Sequence, residues 1–176
     1  MALREGLPGT IYRKDYRAPD FGLTEVVLEV RIDQGRTEVT ATLEVVRRIS
    51  GQSPLILDGE QLNLQWVELD GVRLTEAQYE LTEQHLTIAS VPDHFTLRTR
   101  VVICPEENTS LEGFYRSQSA YCTQCEAEGF RKITYFLDRP DVMAVYTVTL
   151  EAQRAECPVL LSNCLLYTSP SPRDRG

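Results

Sequence analysis

The sequence predicts an all-β, antiparallel domain with a sandwich-like arrangement of its strands, and three observations support this fold class. Apolar and polar residues alternate with a period of two through several short runs. Turn signals separate these runs at intervals of roughly 8–12 residues, a spacing that is typical of sandwiches and barrels. No segment carries a long apolar stripe with the 3.6-residue period that an amphipathic helix needs.

The first predicted element is a β-hairpin formed by residues 26–32 and residues 39–45. Apolar side chains occupy alternate positions in both runs, and Asp33-Gln34-Gly35 supplies a short glycine-containing turn between them. One side of each run is apolar and the other is polar. This pattern indicates an antiparallel sheet that covers a core on one face.

Further strands follow with the same rhythm. Asp70-Gly71 is a second strong hairpin signal. The runs predicted to be strands are residues 55–57, 62–66, 86–88, 95–103 and 145–150. A short helical turn is predicted at residues 138–142, with Asp138 as its cap and Pro140 in its first turn.

The chain has 176 residues, which suits one domain with a hydrophobic core, and we place that domain at residues 21–163. Residues 1–20 are polar and are predicted to be an irregular amino-terminal segment. After Asn163 the composition shifts abruptly to Ser, Pro and Arg. We interpret residues 164–176 as a non-native tail, the alternative being a flexible native tail. On the first interpretation the β-domain is truncated at its carboxyl-terminal end.

The formal net charge is −8, which disfavours nucleic acid and anionic membranes as partners. An acidic surface is compatible with cationic ligands such as peptide amines. No run approaches the ~18 apolar residues needed to span a bilayer. The first residues also lack the apolar stretch of a secretory signal, so a cytoplasmic location is expected.

The cysteines and histidines suggest no complete metal site. The odd number of cysteines, five, without an export signal indicates reduced thiols. Cys122-x-x-Cys125, together with Cys157 and Cys164, would supply four thiolates for a zinc domain. The preferred alternative is that Cys122 and Cys125 are simply two small residues on a loop. His85 and His94 lie outside any His-Glu-x-x-His motif and are predicted to be surface or edge residues.

Residues 121–131 form a polar segment between two apolar stretches. Gln124 and Glu126 are two positions apart, which in an extended backbone places both side chains on the same side. A carboxylate beside a carboxamide can accept several hydrogen bonds from one ammonium group. Composition alone favours a solvated loop, because loops are normally polar.

Several motifs in the chain are similar to one known family. They are residues 12–20, Tyr-Arg-Lys-Asp-Tyr-Arg-Ala-Pro-Asp; residues 111–115, Leu-Glu-Gly-Phe-Tyr; residues 122–131, Cys-Thr-Gln-Cys-Glu-Ala-Glu-Gly-Phe-Arg; residues 135–142, Tyr-Phe-Leu-Asp-Arg-Pro-Asp-Val; and residues 160–163, Leu-Leu-Ser-Asn. Together they resemble the amino-terminal domain of bacterial aminopeptidase N, a zinc metallopeptidase of the gluzincin group. The resemblance covers roughly residues 11–163.

This resemblance implies a saddle-shaped β-domain that packs against a thermolysin-like catalytic domain holding zinc. It also implies that Glu126 binds the free α-amino group of a peptide and that Gln124 lines the same pocket. The parent enzyme would then remove amino-terminal residues from peptides. The peptide's amino terminus and the missing catalytic domain would be the partners of this fragment.

The same resemblance implies that the chain by itself is inactive. It ends before the family's His-Glu-x-x-His helix, so the fragment is expected to have no catalytic residue and to bind no zinc. The alternative is a self-contained, non-catalytic β-sandwich interaction module. An exposed apolar patch or an unpaired sheet edge would favour the fragment interpretation over the module.

Overall fold

The computed structural model describes residues 12–162, and within this range the chain is built almost entirely of β-strands. The strands are β1 Phe21–Asp33, β2 Arg36–Arg47, β3 Leu55–Asp58, β4 Asn63–Leu69, β5 Val72–Arg73, β6 Glu80–Leu81, β7 His85–Ile88, β8 His94–Ile103, β9 Gly113–Ser117, β10 Ala120–Gln124 and β11 Val145–Ala152. Three single-turn 3-10 helices span Arg13–Asp15, Glu76–Gln78 and Phe130–Lys132. The prediction of an all-β fold is confirmed.

Six of the strands form one large sheet in the order β11-β1-β2-β8-β4-β5. The predicted first hairpin is present as β1 and β2, with Val30 opposite Val39. Gly35 has φ of 69° in the connecting turn, a left-handed conformation that favours glycine. The turn at Asp70-Gly71, which joins β4 to β5, also has both residues at positive φ.

One strand departs from the predicted antiparallel pattern. β11 runs parallel to β1, with Glu25 opposite Val145 and Ile32 opposite Ala152. Parallel neighbours need a long crossover connection. Here the chain leaves β8, forms the β9–β10 hairpin and the segment that follows it, and only then returns to the sheet. The alternation of residues within β11 carries no information about its direction.

The core lies between the large sheet and a three-stranded sheet in the order β3-β7-β6. Fully buried leucines come from both layers, including Leu57 and Leu86 on the small sheet and Leu43 and Leu97 on the large one. On the large sheet's opposite face, polar side chains surround Trp66. This layered arrangement agrees with the sandwich-like prediction.

Two local predictions are corrected. Residues 138–142 do not form a helical turn, because the carboxylate of Asp138 is buried and binds Arg131 and therefore does not cap a helix. Residues 113–124 contain two strands, β9 and β10, that the sequence pattern did not predict.

The described residues leave some predictions outside their range. Residues 1–11 of the predicted irregular segment lie outside it, as do residues 164–176 of the predicted non-native tail. Within residues 12–162 the helices are single turns, and none is long and apolar enough to cross a bilayer.

Candidate functional site

Gln124 and Glu126 lie where a strand gives way to a turn. Gln124 is the last residue of β10, and Glu126 begins a turn that spans residues 126–129. The backbone is therefore extended at Gln124 but not at Glu126. The two-residue spacing assumed an extended backbone through both positions, and that condition is not met. Both residues are exposed. The peptide bond between Glu126 and Ala127 is cis.

Both of these polar side chains have unused hydrogen-bonding capacity. Among residues 12–162, neither the Glu126 carboxylate nor the Gln124 carboxamide makes a hydrogen bond or ion pair with another group. Their acceptor atoms are therefore available to a ligand. An ionised carboxylate accepts only, and an ammonium group donates only, so a cationic amine is the chemically matched ligand.

The loop that carries Glu126, residues 125–132, is attached firmly at its far end. The side chain of Arg131 donates from Nε to Oδ2 of Asp138 at 2.9 Å. The backbone N–H of Arg131 donates to the same oxygen at 3.1 Å. Asp138 in turn donates its own backbone N–H to Asp58 on β3 at 3.2 Å. These contacts connect the loop to the core.

A second attachment comes from the two neighbours of Arg131. Lys132 donates from Nζ to the Glu112 carboxylate at 2.9 Å and to Ser110 Oγ at 3.1 Å. The ring of Phe130 packs on the ring of buried Phe136, with centroids 4.5 Å apart. The loop is thus held by a cation on its outer side and by an aromatic contact on its inner side.

Two glycines allow the loop to approach β9 and the end of β10. A Cβ on Gly129 would lie 2.5 Å from the carbonyl oxygen of Gln124 and 3.0 Å from the backbone nitrogen of Gly113. A Cβ on Gly113, whose φ is +73°, would lie 2.6 Å from Cβ of Lys132. Real Cβ atoms do not come this close to backbone or Cβ atoms, so the local packing requires glycine at both positions.

The substitution Gly113→Ala is expected to destabilise the fold by about 2 kcal/mol, the combined effect of a left-handed conformation and overpacking. Gly35→Ala is the matched control, because Gly35 also has positive φ (+69°) but no heavy atom lies within 4 Å of the place that an added Cβ would occupy. The control should lose about 1 kcal/mol. Urea unfolding of both variants measures the difference, and equal losses would show that the close approach is unimportant.

The β9–β10 hairpin is fixed to the rest of the domain by Tyr121. Its hydroxyl donates to Oε1 of Glu106 at 2.5 Å, and the same oxygen accepts the backbone N–H of Gly35 at 3.2 Å. Burial and this hydrogen bond raise the pKa of Tyr121 to about 12. The ring of Tyr121 stacks on Phe114 with centroids 5.5 Å apart. Because Tyr121 and Gln124 lie on the same strand, this contact also fixes the position of Gln124 at the end of β10.

The raised pKa of Tyr121 predicts a specific alkaline response. Because its folded pKa lies above the ordinary value of 10.0, its contribution is complete below pH 10 and is lost as the pH rises towards about 12. Free energies of unfolding of the unmodified chain and of Tyr121→Phe should therefore differ by a constant amount from pH 7 to 9. The gap should shrink between pH 10 and 12, whereas a gap that is constant up to pH 12 would contradict this assignment.

Two grooves on the described surface lie away from the two site residues. The larger groove has a volume of about 280 Å³ and lies beside the loop, with Lys132 on its wall. The smaller, of about 120 Å³, lies between the ends of β1 and β11. Neither is lined by Gln124 or Glu126.

The described residues do not form a zinc site. Among residues 12–162, no three His, Cys, Asp or Glu side chains come together in a group able to hold a metal ion. Cys122, Cys125 and Cys157 are free thiols, and Cys164 lies outside the described range. Burial raises the pKa of Cys125, which disfavours the thiolate that a metal needs. His85 lies on β7 with its Nε2 3.6 Å from Asp58, and His94 is exposed.

Sequence reasoning did not find the residues that support the loop. Arg131 and Lys132 form a basic pair one residue after an acidic, glycine-containing turn, and this is the signal that was available. The partner of Arg131, Asp138, was instead interpreted as a helix cap. Nothing in the local sequence connects Asp58 to this site, since it lies 80 residues from Asp138.

Comparison with known proteins agrees with this fold. Residues 13–172 match the family model of the Peptidase M1 N-terminal domain. The chain is 46% identical over 156 residues to aminopeptidase N of Escherichia coli, and 44% identical over 161 residues to aminopeptidase N of Caulobacter vibrioides. These alignments cover 89% and 92% of the chain but only 18% of each relative. The chain therefore spans about a fifth of the length of these proteins.

Solved structures of aminopeptidases share the fold of this chain. The chain superposes on Legionella pneumophila aminopeptidase A, solved in complex with aspartic acid, with a TM-score of 0.80 and 34% identity, covering 85% of this chain and 18% of that one. An M1 zinc metallopeptidase of Deinococcus radiodurans shares the fold at a TM-score of 0.64 and 18% identity, covering 76% of this chain and 33% of that one. The match to the family model covers most of the chain, and the chain therefore belongs to the Peptidase M1 N-terminal domain family.

Proposed function

We propose that this domain anchors the amino terminus of a peptide in a zinc aminopeptidase, with Glu126 and Gln124 holding the α-ammonium group. One observation carries the proposal. A carboxylate and a carboxamide with free acceptor atoms lie two positions apart, at the end of β10 and on the loop that follows it, and this loop is bound to the core through Arg131 and Phe130. Exposed polar residues on a fixed support are typical of binding sites.

The chemistry of the α-ammonium group fits this arrangement. It presents three N–H donors and a positive charge, which a carboxylate and an amide oxygen can accept together. Hydrogen bonds to charged groups contribute about 1.5–3 kcal/mol each. An exopeptidase must recognise the chain end, and holding the amine at a fixed place also sets the position of the first peptide bond.

Bond cleavage requires groups that residues 12–162 do not provide. When bound in such an enzyme, zinc polarises the scissile carbonyl and lowers the pKa of a water molecule. The role that we assign to this chain is to bind and orient the peptide. We accordingly propose that the chain alone shows no peptidase turnover.

The edge of the large sheet supports the existence of a partner domain. Within the described residues β11 pairs only with β1, so its outer edge is open. Beside it Met143 and Val145 are 77% and 69% exposed. An open edge and exposed apolar side chains are unfavourable in a self-contained module. We propose that a zinc-binding catalytic domain is the partner.

The test uses a chimera in which residues 13–162 replace the aligned segment of Escherichia coli aminopeptidase N. In this chimera Glu126→Gln removes the charge and keeps the shape of the side chain. We expect kcat/KM for alanyl-p-nitroanilide to fall about 10- to 100-fold, because one charge-assisted contact is lost. The loss should appear mainly as a higher KM.

Glu128→Gln is the matched control, since Glu128 lies on the same turn and is 63% exposed, with its carboxylate 3.6 Å from Arg131. An exposed ion pair of this kind contributes little, so kcat/KM should change less than about threefold. Equal effects of the two substitutions would reject a specific role for Glu126. A zinc-loaded parental chimera without activity would reject the equivalence of the two domains.

A further inference from the structure

We propose that Arg131 is a positioning residue for the peptide amine, acting through Asp138 without touching the substrate. This inference rests on the proposed function, because it explains what holds the amine-binding acceptors in place. Arg131 lies five positions after Glu126, at the end of the 125–132 loop. Its guanidinium is largely enclosed, with 18% of the side chain exposed.

Arg131 makes several contacts to a single residue. Its Nε and its backbone N–H both donate to Oδ2 of Asp138, at 2.9 and 3.1 Å. Its Nη2 donates to the backbone carbonyl of Asp138 at 3.3 Å. Three hydrogen bonds between the same two residues fix both the orientation of the Arg131 side chain and its distance from Asp138.

Asp138 is itself immobilised. Its side chain is only 9% exposed, and its backbone N–H donates to the carboxylate of Asp58. Asp58 also forms a two-way backbone bridge with Phe136, with N···O distances of 2.8 and 3.0 Å. The support under Arg131 is therefore continuous with β3 and the hydrophobic core.

Backbone hydrogen bonds connect the arginine end of the loop to the acceptors. The N–H of Lys132 donates to the carbonyl of Gly129 at 3.2 Å, and the N–H of Gly129 donates to the carbonyl of Cys125 at 3.1 Å. Cys125 lies between Gln124 and Glu126. Two consecutive hydrogen bonds thus transmit the position of the arginine end of the loop to the residue between the two acceptors.

Arg131 also provides the positive charge between three nearby carboxylates. Its guanidinium lies 3.6 Å from Glu128 and 3.8 Å from Glu60, in addition to Asp138. Without the cation, the enclosed carboxylate of Asp138 would lose its partner and would repel these acids. The loop would then relax outwards and Glu126 would shift relative to Gln124.

The experiment uses the 176-residue chain and compares Arg131→Met with Arg131→Lys. Arg139→Met is the matched control, because Arg139 also makes two hydrogen bonds to one carboxylate, that of Asp141, at 2.8 and 2.7 Å. Arg139 also donates to the backbone carbonyl of residue 17, which lies outside the loop. The probe is tri-alanine, with N-acetyl-tri-alanine as the blank, titrated by heteronuclear NMR.

In Arg131→Met we expect the apparent Kd for tri-alanine to rise about tenfold or more. Hydrogen-exchange protection should fall by a similar factor at the amides of Gly129 and Lys132, while β1 and β2 keep theirs. Arg131→Lys should recover part of both losses, since it retains the charge without the planar fork. Arg139→Met should change neither quantity.

The outcomes separate this inference from the function on which it rests. If the unmodified chain responds equally to tri-alanine and its acetylated form, the proposed function fails. If a folded Arg131→Met binds tri-alanine as tightly as the unmodified chain and keeps its protection at Gly129, the positioning role is overturned. Should Arg131→Met not fold, Arg131→Lys decides: unchanged Kd and protection overturn the role, and intermediate losses support it.

Discussion

Leu43→Ala is expected to lower the free energy of unfolding by about 3–5 kcal/mol, because truncating a fully buried leucine removes apolar contacts and leaves a cavity. Leu43 is 0% exposed on β2, in the middle of the large sheet. It pairs with Val26 on one side and Leu97 on the other, and both of these residues are also fully buried. Little room exists for neighbouring strands to close the space.

Urea denaturation followed by circular dichroism measures this loss. Leu81→Ala is the matched control, since Leu81 lies on the short strand β6 and is 47% exposed. The control should lose less than about 1 kcal/mol. If the two leucines gave equal losses, the assignment of the core to the space between the two sheets would be wrong.

Asp138→Ala is expected to destabilise the domain by about 3 kcal/mol, because it leaves the guanidinium of Arg131 without its main partner in a largely enclosed place. The substitution removes two hydrogen bonds at once, those from Nε and from the backbone N–H of Arg131. The effect stays below that of a completely buried pair, since Arg131 retains 18% exposure and contact with water.

Asp141→Ala serves as the control for this second prediction. Asp141 also binds an arginine, Arg139, and accepts the hydroxyl of Tyr16, but this pair lies nearer to solvent. Ion pairs at the surface contribute about 0–1 kcal/mol, and the control should lose no more than that. A loss for Asp138→Ala that is no larger than the control would contradict the proposed attachment of the loop to the core.

The predictable parts of the fold are hairpins, in which the alternation of apolar residues and a short turn both indicate the same strand pairing. The hairpin of β1 and β2 has alternating residues and a short turn at Gly35, and each feature alone predicts it. The same holds for β4, which ends at the Asp70-Gly71 turn. In these elements the alternation decides which face is buried and the turn decides the partner.

The parts that could not be predicted depend on distant contacts. The parallel pairing of β11 with β1 joins residues more than 100 positions apart, and its alternation fits either direction equally well. The β9–β10 hairpin has few buried side chains, so its strands lack a strong apolar rhythm. The attachment of the loop to the core joins Asp138 to Asp58, and no local pattern identifies that pair.

In the candidate site, too, some residues could be predicted from the local sequence and others depend on distant contacts. Polar chemistry and resemblance to a family predicted Gln124 and Glu126 as site residues; of these two grounds, membership of the Peptidase M1 N-terminal domain family is confirmed. Their support by Arg131 and the glycine pair Gly113 and Gly129 became visible only in three dimensions. Neither of the two grooves, of about 280 and 120 Å³, is lined by Gln124 or Glu126.

The most direct measurement is a crystal structure of the zinc-loaded chimera with L-alanine bound. We predict that the ammonium nitrogen lies within about 3 Å of a Glu126 carboxylate oxygen and of the Gln124 amide oxygen, at the distances of charge-assisted hydrogen bonds. A ligand whose ammonium group lies more than about 6 Å from both oxygens, beyond hydrogen-bonding range, would contradict the role assigned to this domain.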